Sequence, residues 1–278
     1  MHEQTLQSYA KINLFLEVIK KLKNGYHDLS SIITRISISD KIKIDIADDF
    51  SVRFIGPFCS QVSQESNIHT LFQFLLDNNF INHSNYAILI DKQIPVGSGL
   101  GGGSSNVAEI LKYLMREGTL SKSQCLLAAK ELGSDIEFFF EKGSALITGT
   151  GSVNRRIDLF SDKIFLIIYP QILMSTKIIF EQHYILRKSN FLYEGQTQIS
   201  DILQHTSNDL EKTAITQHQE IGMVKQFLEN DEHCEFARMT GSGSAFFGCY
   251  DNEALANDAA SKIKKLCPKW WTCLARTI

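Results

Sequence analysis

Five glycines fall within seven positions, at Gly97, Gly99, Gly101, Gly102 and Gly103, and Ser104, Ser105 and Asn106 follow directly. Glycine costs folding entropy, so such a cluster marks positive φ angles or a backbone packed close against something. Residues 85–92 before it read as a strand. After it, Val107, Ile110, Leu111 and Leu114 recur at helical spacing over residues 104–116. The glycines therefore form a turn running into a helix N-terminus, where unpaired N–H groups and the positive end of the dipole favour an anion. The chemistry this stretch points to is phosphate binding.

Common phosphate motifs fit it poorly. Gly97, Gly99 and Gly102 make a formal G-x-G-x-x-G. A dinucleotide fold needs an acidic residue about 20 positions on, at the end of a second strand. Here that region reads as a helix, and Pro95 interrupts the strand-to-glycine junction. A P-loop ends Gly-Lys-Ser/Thr, whereas this loop ends Gly103-Ser104-Ser105. The H-R-D and D-F-G signatures of protein kinases are missing.

The elements around the loop follow from pattern. In residues 6–18, Ala10, Ile12, Leu14 and Leu16 alternate with Tyr9, Lys11, Asn13 and Phe15, so Lys11 and Asn13 share one face of a strand. A lysine there ordinarily faces solvent. Asn24-Gly25 marks a hairpin turn. Strand patterns at 32–38, 41–46 and 52–55 make the N-terminal part a run of antiparallel-type strands. Helices are expected over 67–78 and 121–132, the second with Ser121 as N-cap and Gly133 as stop. Residues 136–140 suggest a short helix, 143–151 turns, and 155–162 a crossing between domains. A strand at 164–169, an element from 175, a loop at 191–198 and helices at 208–214 and 220–228 come next. A second glycine turn, Thr240-Gly241-Ser242-Gly243-Ser244, leads into a strand at 245–250. A helix over 252–266 and a strand over 272–276 close the chain.

Composition bounds the rest. Apolar residues at 44% and charged residues at 21% describe a globular chain able to build a real core, as one large domain or two modest ones. A net charge of −3 lacks the basic face of a nucleic-acid binder. The basic run Lys20-Lys21-Leu22-Lys23 is short and reads as a solvated turn. Six cysteines, at 59, 125, 234, 249, 267 and 273, form no C-x-x-C pair, which argues against a zinc site or disulfide framework and fits a reducing cytosol. No signal-peptide pattern begins the chain, and no apolar run approaches the roughly 20 residues that span a bilayer. The expectation is a cytoplasmic protein with no membrane or nucleic-acid partner and no metal site of its own; oligomeric state stays open.

One arrangement does match. Pro95-Val96-Gly97-Ser98-Gly99-Leu100-Gly101-Gly102-Gly103-Ser104-Ser105-Asn106, with the later Thr240-Gly241-Ser242-Gly243, resembles the GHMP kinase superfamily. Ala10-Lys11-Ile12-Asn13-Leu14-Phe15-Leu16, Gly25-Tyr26-His27-Asp28-Leu29, Leu132-Gly133-Ser134-Asp135-Ile136 and Ser207-Asn208-Asp209-Leu210-Glu211 look like its branch acting on a cytidine diphosphate sugar alcohol of the non-mevalonate isoprenoid route. The ordered set runs from residue 10 to 244, nearly the whole chain. Ser98 departs from a position where glycine is frequent, and Ser244-Ala245 stand after the second loop in place of other small residues.

The resemblance implies an α+β fold of two domains. An N-terminal β/α ATP-binding domain would span 1–155 and a ferredoxin-like C-terminal domain 156–278, with the active site in the cleft between. It implies ATP with its Mg²⁺ as cofactor. Backbone N–H groups of 97–105 would hold the phosphates, Ser104 or Ser105 would reach Mg²⁺ or simply cap the helix, and Asn67, Lys92 and Asn106 would contact adenine. Asp135 matches the base for the acceptor hydroxyl, against a plain role as N-cap of 136–140. Lys11 would be its partner, keeping a carboxylate ionised and steadying charge on the transferred group. Tyr26 would stack on the cytosine and Phe180 close the sandwich, against core packing for both. His27 and Asn13 would hydrogen-bond base and sugar alcohol, against a surface turn for His27. Thr176, Gly241 and Ser242 complete the acceptor contacts. Another superfamily kinase, an ATP-binding regulator without chemistry and a dinucleotide-binding oxidoreductase are the alternatives. Tyr26-His27 speaks against the first, the pairing of Lys11 with Asp135 against the second, and the missing acidic residue against the third.

Overall fold

The alternation at the N-terminus becomes a sixteen-residue strand, β1 (Leu6–Lys21). The Asn24-Gly25 turn, with Gly25 at φ +86°, then returns the chain along β2 (His27–Ile46), which pairs with β1. The two strand patterns expected at 32–38 and 41–46 are therefore one strand of twenty residues. The computed structural model describes residues 5–159, 161–183, 193–195 and 198–278. Its contacts divide the chain into two units. Unit 1 holds the stretch ending at Ala10, Ile38–Val96 and Gly101–Lys142; unit 2 holds Lys11–Ser37, Gly97–Leu100 and Gly143–Ile278.

In unit 1, β3 (Ser51–Ile55) pairs parallel with β4 (Tyr86–Asp91), and β4 pairs antiparallel with Lys41–Ile46 of β2. The purely antiparallel run expected here is thus corrected at β3. A parallel partner requires a crossover, and the chain between supplies α1 (Asn67–Asp77). Ser66 and His69 form a reciprocal cap at its start. α2 (Gly102–Arg116) and α3 (Lys122–Leu132) pack against α1 and each other, burying Leu71, Val107, Ile110, Leu111 and Ala128. Ser121 caps α3 as expected, in a capping box with Gln124. α2 begins two residues earlier than expected, because Gly101 takes the N-cap at φ +73° and Gly102 and Gly103 continue helically. After Gly133 the chain turns, and Glu137–Phe140 form a single 3₁₀ turn that buries Phe138 and Phe139. Its N-cap is Ile136, so the capping role expected for Asp135 does not apply.

In unit 2, Leu29–Ile33 of β2 pair antiparallel with β5 (Ser144–Gly149), which pairs with β6 (Ser152–Ile157). The stretch expected as turns and a crossing is a hairpin. Every residue of β1 from Lys11 to Val18 is buried, so the solvent-facing lysine that alternation suggests is corrected: Lys11 is 3% exposed. β7 (Ile164–Tyr169) is wholly buried. The helices α4 (Thr176–Glu181), α5 (Ile199–His205), α6 (Glu211–Gln217) and α7 (Gln219–Glu229) come next. β8 (Phe236–Met239), β9 (Phe246–Tyr250), α8 (Glu253–Leu266) and β10 (Trp271–Ala275) complete the chain.

The sheet order β10-β7-β9-β8, antiparallel throughout with helices between strands, is the ferredoxin-like arrangement expected for the C-terminal part, with extra helices before β8. Leu16 and Val18 of β1 enter its core beside Leu166, Leu210, Val224, Phe246 and Ile263. α5 and β8 were not anticipated from pattern, being short. Half of the loop expected at 191–198 lies outside the described residues. Among the described residues no helix is long and apolar enough to cross a membrane.

Candidate active site

Gly99 is where the two glycine turns meet. Its φ is +84°, and a Cβ built on it would lie 2.2 Å from the Thr240 carbonyl oxygen, so no larger residue fits. The Ala245 N–H donates to the Ser98 carbonyl (3.0 Å), and the Lys11 N–H to the Leu100 carbonyl (2.9 Å). Residues 11–13, 98–100 and 240–245, distant in sequence, are thereby stitched into one cluster within unit 2.

Two β1 side chains sit in that cluster. Lys11 and Asn13 share a strand face, and Lys11 Nζ donates to Asn13 Oδ1 (2.5 Å). Asn13 is fixed in turn: its N–H donates to Thr240 Oγ1 (2.9 Å) and its Nδ2 to Ser31 Oγ (2.9 Å). Gly241, at φ +58°, leaves room for both; a Cβ there would approach Lys11 Nζ at 3.3 Å and Asn13 Oδ1 at 3.4 Å. A buried ammonium held against two glycine turns presents a fixed cation to any anion the turns accept.

Asn208 sets the second turn from behind. Its Nδ2 donates to the carbonyls of Met239 (2.7 Å) and Gly241 (2.8 Å), and its Oδ1 accepts the Leu210 N–H (3.0 Å). The Ser207–Glu211 stretch stands out in the sequence, but no local pattern there gives Asn208 this task. Ser242 Oγ lies 2.8 Å from Thr176 Oγ1, so these two expected acceptor contacts are neighbours.

Two of the residues expected at the base slot, His27 and Phe180, are in contact. His27 is buried and stacks on Phe180, ring centroids 5.3 Å apart at 30°. Tyr26 is 65% exposed, so its ring is not core packing. Burial, then the charges of Lys21 and His183, hold the His27 imidazole below its ordinary pKa, which keeps it neutral and able to both donate and accept.

The backbone of the first turn is set by its glycines. Gly97, Gly99 and Gly101 have positive φ while Ser98 and Leu100 between them do not. Such alternation turns successive N–H groups to one side, a concavity that suits an anion, and α2 starts directly after it. Asn67 is exposed, its Nδ2 3.0 Å from where a Gly103 Cβ would be. Lys92 and Asn106 are buried and bonded to Asp40, Lys92 Nζ at 2.5 Å and Asn106 Nδ2 at 3.0 Å. Burial pulls the Lys92 pKa down and the Asp40 carboxylate opposes that. Ser105 Oγ is buried and accepts from Ser8 Oγ (2.8 Å), whereas Ser104 is half-buried. Pro95 is buried and the Val96 N–H donates to Gln61 Oε1 (3.2 Å). Asp135 is half-buried at the turn before the 3₁₀ segment. Asp40 escaped sequence reasoning altogether, since one aspartate in a strand carries no motif.

Family models for the GHMP kinases N terminal domain and the GHMP kinases C terminal domain match residues 67–143 and 197–269. The chain is 29% identical over 286 residues to 4-diphosphocytidyl-2-C-methyl-D-erythritol kinase of Pelagibacter ubique, covering 100% of both. It is 30% identical over 271 residues to the kinase of that name from Caldicellulosiruptor bescii, covering 93% of each. A crystal structure of 4-(cytidine 5'-diphospho)-2C-methyl-D-erythritol kinase has the same fold, with a TM-score of 0.76 at 24% identity, over 98% of this chain and 99% of that one.

Proposed function

Because this chain belongs to the 4-diphosphocytidyl-2-C-methyl-D-erythritol kinase branch of the GHMP kinase family, we propose that it transfers the terminal phosphoryl group of ATP to the 2-hydroxyl of 4-diphosphocytidyl-2-C-methyl-D-erythritol, a step of the non-mevalonate isoprenoid route. The observation that carries the chemistry is the stitching of Lys11, Gly99 and Gly241 into one cluster, because a buried cation against two glycine turns suits a polyphosphate.

Phosphoryl transfer asks the protein for positioning and charge neutralisation. The N–H groups of 97–104 take the ATP phosphates, that of Ser105 being bonded to the Gly101 carbonyl (2.9 Å), with Asn67 at the adenine side. Asp135 takes the proton from the acceptor hydroxyl as its oxygen bonds to the γ-phosphorus, and ADP leaves with the broken bridging bond's electron pair. Lys11 supports the negative charge on the transferred group. Mg²⁺ carried in with ATP would neutralise phosphate charge, and Ser104 would be the hydroxyl to reach it, since Ser105 is wholly buried beside Ser8. Neutral His27, with Asn13, Thr176 and Ser242, reads the acceptor, and the exposed ring of Tyr26 stacks on its cytosine. Along the chain we keep the division at 155/156 as the family's domain boundary.

The test is ADP release from Mg-ATP with and without the cytidylyl substrate, beside galactose, homoserine and mevalonate. Release with the cytidine compound alone is expected. Release with another acceptor would keep the kinase and discard the substrate; ATP binding without release would favour a regulator.

A further inference from the structure

We infer that Asp40 is a positioning residue for the first glycine loop, holding both of its stems in the conformation that receives ATP phosphates; the inference rests on the ATP-binding reading above. Asp40 lies in β2, fully buried, more than fifty residues before the loop. Its Oδ1 accepts the backbone N–H groups of Gln93 (2.7 Å) and Ile94 (2.8 Å), in the strand exit that leads into the loop. Its Oδ2 accepts Lys92 Nζ (2.5 Å) and Asn106 Nδ2 (3.0 Å), the latter from the first turns of α2, where the chain leaves the loop. One carboxylate therefore fastens entry and exit together.

The network continues to the helix start. Asn106 Nδ2 also donates to Ser8 Oγ (2.9 Å), which donates to Ser105 Oγ (2.8 Å). Gly102 shows how close the ion pair lies: a Cβ there would come within 2.8 Å of Lys92 Nζ and 2.9 Å of Ile94 Cγ2. A buried ion pair is weak support for stability, because desolvation consumes most of the Coulombic gain. What this pair supplies is register. Two apolar side chains would fill the space, but they would not take two backbone N–H groups and an amide at fixed angles.

Asp40→Asn keeps the size, removes the charge and turns an amide toward Lys92 and Asn106. Calorimetric titration with MgATP, without acceptor, is expected to show a dissociation constant raised about tenfold or more, while KM for the acceptor stays within about twofold. An unchanged ATP affinity, or an equal rise in both constants, overturns the inference. Asp40→Leu with Lys92→Met removes both charges together, leaves no orphaned ion and guards against failure to fold. It is expected to lose ATP affinity similarly, and binding as tight as wild type overturns the inference. In the unaltered protein, hydrogen exchange at the Gln93 and Ile94 amides is expected to slow when MgATP binds; no change overturns it. Because the titrations and the hydrogen exchange are read without acceptor, a wrong substrate assignment removes only the KM comparison and leaves the other results to decide. Wild-type protein that binds no ATP overturns both readings.

Discussion

At the scale of single residues, the proposed division of labour separates binding from chemistry. Asp135→Ala removes a half-buried carboxylate at the turn before the 3₁₀ segment. It should lower turnover by about 10²-fold or more while ATP affinity changes little; near-normal turnover would remove Asp135 from the mechanism. His27 gives a pH signature. Its imidazole is held below the ordinary 6.5 by burial, then by Lys21 and His183. The neutral form therefore persists through neutral pH, and acceptor KM should stay flat there and rise only as pH drops below that ordinary value. Folding follows the same sign. The unfolded chain takes up this proton more readily, so stability is lost as pH falls below the unfolded value, until the folded pKa is passed. His27→Gln should flatten the acid limb of the acceptor KM profile; an unaltered limb would assign it to another group. Lys11 shows how far a residue's type carries. Its strand face was legible from alternation, but its burial was not, because the turns that cover it come from residues 98–100 and 240–245.

At the scale of elements, the loops depend on glycine for space as much as for flexibility. Gly99→Ala would place a methyl group 2.2 Å from a backbone oxygen at φ +84°. It should displace the Thr240 turn and weaken ATP binding by about tenfold or more, with helix content by circular dichroism nearly unchanged. Wild-type affinity would mean that the contact between the turns is dispensable. The longer helices were readable because they carry their own signals: Ser121 with Gln124, Asn252 with Leu255, and apolar residues at helical spacing in α2. What pattern could not supply was pairing. The parallel β3–β4 partnership and the β5–β6 hairpin depend on which strand lies alongside, and Gly143, Gly149 and Gly151 made the hairpin read as turns. Asp40 and Asn208 were invisible for a related reason. Each acts by accepting or donating backbone hydrogen bonds to distant segments, and no local spacing encodes that.

At the scale of the whole molecule, segments of the first 155 residues serve both units, so the proposed family boundary is a division of sequence and not one of folding. Leu16 and Val18 lie in the core of unit 2 with Leu166, Phe246 and Ile263. A fragment of residues 1–155 should therefore lack a cooperative thermal transition and bind apolar dye; a sharp melt would refute this. The same strand has a consequence for synthesis. The Leu16 N–H donates to the Ser207 carbonyl, and the Val18 N–H to Asp209 Oδ2 across 191 positions. At roughly 5–20 residues per second on the ribosome, the apolar half of β1 waits about 10 to 40 s for those partners to emerge. For that interval Leu16 and Val18 are without the core that buries them in the folded chain.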